Sequence, residues 1–151
     1  MADFMAVTAC SHPKLKAHKR IETILDRFYV DPDLSIGVGF DEVTGAPQLF
    51  LYGYCWPKAW RIPRGVARAD FDPYDSDEYG EGADGFVQLL KEIAPCLEEP
   101  LTVQAVGSTK CWFPLSACEW HITPGSTQVE MNEFRHSFRE PAAAPASAPA
   151  A

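Results

Sequence analysis

Residues 35 to 56 read as a β-hairpin. Ile36, Val38 and Phe40 alternate with the small residues Ser35, Gly37 and Gly39, and a second extended run goes from Gln48 to Trp56. Alternation of period two puts successive side chains on opposite faces of a strand. The link Asp41-Glu42-Val43-Thr44-Gly45-Ala46-Pro47 holds turn residues, with Gly45 able to take positive φ. The second run is apolar on both faces: Phe50, Tyr52, Tyr54 and Trp56 on one, Leu49, Leu51, Gly53 and Cys55 on the other. A strand of this kind is expected in the middle of a sheet, covered on both sides. Gly37 and Gly39 are expected to make room for an aromatic side chain of the neighbouring strand.

The rest of the chain is built around this hairpin. Residues 1–10 read as a strand or a disordered lead. Ser11-His12-Pro13 reads as a helix start, and Ile21, Ile24, Leu25 and Phe28 make a one-sided helical face. Asp31-Pro32-Asp33 should end that helix. Residues 57–83 lack periodicity, so they are either functional or hide a short element. A second helix is expected from Asp84 to Ala94, burying Phe86, Leu89, Leu90 and Ile93. Leu101–Val106, Leu115–Ile122 and the alternating residues around Val129 read as strands, the last of them at an edge. The order α-β-β-loop-α-β-β-β implies an α+β fold, with a mostly antiparallel sheet of about five strands and two helices on one face. One domain is expected over 1–139. Residues 140–151, rich in Pro and Ala, read as a disordered tail.

Charge narrows the function. The formal net charge is −8, which repels phosphate backbones and anionic membranes and attracts basic partners. Residues 65–100 hold ten acids against two bases, whereas residues 1–30 are mildly basic. The longest strongly apolar run, Leu49–Trp56, has eight residues, and a membrane span needs about 20. The N-terminus lacks a signal-peptide pattern. Five cysteines, an odd number with no C-x-x-C pair, fit reduced thiols and a cytoplasmic location.

Motifs for chemistry are few. Asp70, Asp72, Asp75, Asp77, Glu78 and Glu81 supply hard oxygen ligands, but the EF-hand register fails: from Asp75, Tyr79 falls at position five and Phe86 at position twelve. Cys111, Cys118 and His121 do not make a zinc pattern, because Cys118 and His121 fall on opposite faces of a strand. Cys55 or Cys118 as a nucleophile lacks an orienting third group. No Gly-rich phosphate loop is present. No metal or cofactor is therefore expected.

The reading that remains is a small acidic cytoplasmic protein without catalysis, of inhibitor, immunity or adaptor type, binding a protein with a basic surface and neither nucleic acid nor membrane. In general outline the organisation resembles the small acidic α+β proteins with which bacteria block toxins, on architecture alone. The expected binding residues are Trp56 and Trp60, read as the most exposed aromatics, with Asp70, Asp72, Asp75, Asp77, Glu78 and Glu81. Two alternatives stand beside it. One is an enzyme using carboxylates of the 70–84 loop, which requires one of Asp70, Asp72, Asp75 or Asp77 in a cleft. The other is an accessory subunit tethered by the Pro/Ala tail.

Overall fold

A computed structural model describes residues 4–54, 56–74, 82–108, 115–126 and 128–136. The chain runs β1 (Phe4–Ala9), α1 (His18–Asp26), β2 (Phe28–Val30), β3 (Leu34–Phe40), β4 (Pro47–Gly53), β5 (Ala59–Arg61), α2 (Gly82–Ile93), β6 (Leu101–Ser108), β7 (Leu115–Ile122) and β8 (Val129–His136). Six strands form one sheet in the order β3-β4-β1-β6-β7-β8, and β2 and β5 form a separate ribbon. Every pairing is antiparallel. The α+β class holds, with six strands in the main sheet rather than about five.

The hairpin is β3–β4, with Gly37 opposite Phe50. A Cβ on Gly37 would sit 2.9 Å from the Phe50 ring, so the glycine makes room for the aromatic. The hairpin loop is organised by Asp41. Its Oδ1 accepts from the backbone N–H groups of Val43 and Thr44, both at 2.8 Å. Those two bonds favour the carboxylate and hold the Asp41 pKa below its ordinary value of 3.8. A lowered folded-state pKa stabilises above 3.8, and that contribution disappears as pH falls through the folded value. Amide protection of Val43 and Thr44 in hydrogen exchange should therefore fall in acid, below pH 3.8, and Asp41→Ala should remove the pH dependence.

Helix α1 begins later than the sequence suggests. Residues 13–16 are extended rather than helical, because tertiary partners claim their backbone. Leu15 N–H donates to Pro47, Lys16 N–H to Cys96, and Lys14 accepts from Glu98 N–H, at 2.8 to 3.0 Å. Leu15 is buried as a result. At the far end, Phe28 leaves the helix and enters β2, still fully buried.

Both helices pack on one face of the sheet. Leu49 and Leu51 of β4, Val7 of β1, Leu101, Val103 and Ala105 of β6, and Cys118, Trp120 and Ile122 of β7 meet Ile21, Ile24, Phe86, Leu89, Leu90 and Ile93. Strand β4 is internal, as expected, but among the described residues helices cover one side only. Its aromatic residues point to the other face, where no described helix lies. The aperiodic stretch 57–83 hides β5 and a 3-10 turn at Arg68–Asp70. Strand β8 is at the edge, as its alternation suggests. No described helix is long and apolar enough to cross a membrane.

Candidate protein-binding surface

Four of the eight expected binding residues, Trp56, Trp60, Asp70 and Asp72, fall within the described residues. Trp60 is only 5% exposed, against the expectation that it stands on the surface. The reason is local pairing: β5 sets Trp60 opposite Tyr29 of β2, and its indole lies over Gly82 at the start of α2, where a Cβ would fall 2.6 Å from the ring. Tyr29 flanks it at 6.0 Å and Tyr74 at 5.2 Å between ring centroids. Trp56 is half-buried, set edge-on against Trp120 at 6.0 Å. The two tryptophans do share one cleft, of about 430 Å³, lined also by Lys58, Pro73, Tyr74 and Gly82. Asp70 and Asp72 are exposed. Asp75, Asp77, Glu78 and Glu81 lie outside the described residues.

The exposed aromatics are instead Phe40, at 61% on the far end of β3, and three tyrosines. Tyr54 is 81% exposed, Tyr74 59% and Tyr52 50%. Tyr52 and Tyr54 are two residues apart on the open side of β4, and the Tyr52 ring lies 6.1 Å from Phe50. The turn Asp31–Leu34 joins them to Tyr74. Tyr54 N–H donates to the Asp33 carbonyl at 3.2 Å, and the Tyr74 hydroxyl donates to Asp31 Oδ2 at 2.6 Å. Asp31 Oδ1 accepts from Asp33 N–H at 2.9 Å, which shapes the turn. Asp72 Oδ1 accepts from Tyr74 N–H at 3.0 Å, fixing the backbone that presents that ring. The Asp31 carboxylate thus contacts the Tyr74 phenol, the Asp72 carboxylate holds the Tyr74 backbone, and Asp33 is joined to Tyr54 through the backbone.

A second polar group occupies the open face further across the sheet. His121 Nδ1 lies 3.2 Å from the Thr102 hydroxyl and Nε2 lies 3.1 Å from Glu119 Oε2, while Gln104 Nε2 donates to Glu119 Oε1 at 2.6 Å. Hydroxyl, imidazole and carboxylate follow one another as in a nucleophilic triad. They lie side by side across the strands β6 and β7, however, and line none of the three described grooves. The arrangement is a cross-strand hydrogen-bond ladder that ties β6 to β7.

Cys118 is buried on the core face and His121 is half-buried on the other, so they share no site. Burial raises the pKa of the Cys96 thiol, against the pull of Arg20 and Lys16, so it is a poor nucleophile. Cys55 and Cys111 lie outside the described residues. Among the described residues, no group of three or more His, Cys, Asp or Glu could hold a metal ion. Asp70 and Asp72, the described members of the proposed acid–base set, are on open surface rather than in a cleft.

Tyr52, Tyr54, Tyr74, Asp31 and Asp33 do not figure in the sequence-based site. The signal was present as Tyr52 and Tyr54 in alternation, but which side of β4 stays open is decided by where α1 and α2 pack. No protein-family model, curated protein or solved structure matches the chain.

Proposed function

We propose that the protein is a non-catalytic cytoplasmic binding protein of inhibitor, immunity or adaptor type, whose partner is a protein with a basic surface rather than a nucleic acid. The observation that carries this reading is the exposure of Tyr54 and Tyr74 beside Asp31, Asp33 and Asp72. Tyrosine brings large area with few rotatable bonds, and tyrosine and tryptophan dominate the energetics of protein interfaces. A Lys or Arg side chain entering this surface meets aromatic faces and carboxylates together, combining cation–π attraction with charge-assisted hydrogen bonds. The net charge of −8 speeds encounter with a positive partner.

The test is capture of a partner from the source cell's lysate with the intact chain. A stoichiometric basic protein should be retained at low salt and released at roughly 1 M salt, where the Debye length falls to about 3 Å. The double variant Tyr54→Ala/Asp33→Asn should lose it, since interface anchors of this type are worth at least about 2 kcal/mol. Retention by the variant equal to the wild type would remove this surface from the account.

A further inference from the structure

Four arginines gather at the C-terminal end of α1, in a protein of net charge −8. Arg27 is the C-cap of the helix, Arg61 ends β5, Arg64 stands on the turn that follows, and Arg68 opens the 3-10 turn. Their backbone is fixed. Ile62 N–H donates to the Arg27 carbonyl at 2.9 Å, and Val66 N–H closes a turn onto Pro63 at 3.1 Å. Gly65 takes a φ of 88° inside that turn. Positive φ at the third residue of a four-residue turn is the type II arrangement, so Arg64 occupies its projecting second corner.

The side chains are held to different degrees. Arg61 lies 2.9 Å from Glu92 Oε1, with its guanidinium 4.9 Å from the centre of the Phe28 ring. Arg68 Nη2 donates to the carbonyls of Leu25 and Phe28 and so closes the end of α1. Arg27 reaches Glu92 only at 3.9 Å. Arg64 makes no hydrogen bond or ion pair among the described residues. Arg27, Arg61 and Arg64 line a groove of about 450 Å³ whose apolar wall is Ile62, Pro63 and Val66, with Asp26 also lining it. Asp26 and Glu92 offset part of the charge of the three guanidinium groups that line the groove and leave it positive.

We propose that this groove binds an organic phosphate monoester. A planar carboxylate is satisfied by one guanidinium fork, whereas a phosphate dianion presents three accepting oxygens to donors from several directions. Here the donors come from a helix end, a strand end and a turn. The phosphoryl group takes Arg64, which has no partner among the described residues, and the loosely held Arg27, while Arg61 stays pinned by Glu92 as a fixed wall and the organic part of the ester lies along Ile62, Pro63 and Val66. The groove is a site separate from the tyrosine and carboxylate surface, and its chemistry is opposite in sign.

The experiment titrates the intact protein with phenyl phosphate, inorganic phosphate and benzoate, followed by NMR. Saturable shifts are expected at Arg27, Arg64 and Val66, in the order phenyl phosphate, then inorganic phosphate, then benzoate, with about tenfold between the first and last. Arg64→Gln and Arg27→Gln should each weaken phenyl phosphate by about tenfold while melting with the wild type, since both side chains are exposed. The proposal is overturned by an absence of saturable binding, by benzoate binding as tightly as phenyl phosphate, or by unchanged affinity in both variants.

Discussion

Phe86→Ala is expected to cost about 3–5 kcal/mol of stability, the largest effect of any single truncation considered for this fold. Phe86 is fully buried on the core face of α2. Its ring meets Trp120 edge to face at 5.4 Å and 79°, and Trp120 in turn meets Trp56 at 6.0 Å. Truncation removes apolar transfer energy, leaves a cavity and deletes an aromatic contact, and these losses add. A domain of this size is stable by about 5–15 kcal/mol, so a fifth or more disappears. Urea unfolding followed by tryptophan fluorescence measures it through the midpoint. A loss below about 1 kcal/mol would mean that α2 does not pack on the sheet as described.

The second large effect concerns Gly85→Ala. Alanine ordinarily improves a helix over glycine by about 1 kcal/mol. Here a Cβ on Gly85 would fall 1.8 Å from the carbonyl oxygen of Ala59 and 2.7 Å from its carbon. Both are backbone atoms of β5 and cannot turn aside as a side chain would. Helix and ribbon must therefore separate, and overpacking of this kind costs about 1–3 kcal/mol and occasionally more. The net expectation is a loss of roughly 2 kcal/mol, or about 4–8 °C in melting temperature at this chain length. Gln88→Ala, on the exposed side of the same helix, serves as the control and should change little. The consequence reaches the surface: α2 and β5 together hold Trp60, and Trp60 supports the Tyr74 ring. A stabilised Gly85→Ala protein would contradict the close approach.

Local rules made several elements legible. The alternation of Ile36, Val38 and Phe40 and the turn at Asp41–Pro47 specify the β3–β4 hairpin without distant help, and Phe86, Leu89, Leu90 and Ile93 specify α2 by spacing alone. The helix start at Ser11 was misleading because capping residues are a local signal, while residues 13–16 take their conformation from Pro47, Cys96 and Glu98, far along the chain. The short strands β2 and β5 have three residues each, too few to show a period.

The surface was harder to read than the fold. Tyrosine suits a core and an interface equally, so Tyr52 and Tyr54 carry no mark of exposure until the helices are placed. Trp60 looks like a loop aromatic in sequence and becomes a wall of the cleft once β5 pairs with β2. Asp31 gains its partner Tyr74 across more than forty residues. The arginine groove draws on Arg27 at a helix end and on Arg61 and Arg64 of a stretch with no helical or strand period. Spacing along the chain reports none of these meetings.

The tyrosine and carboxylate surface is the proposed place where positive charge is received. An NMR titration with an arginine-rich peptide tests it directly. Shifts should concentrate on Tyr54, Tyr74, Asp31, Asp33 and Asp72, weaken with added salt and vanish in Tyr54→Ala/Asp33→Asn. Shifts that spread over every exposed carboxylate alike, or that leave Tyr54 and Tyr74 unmoved, would contradict it.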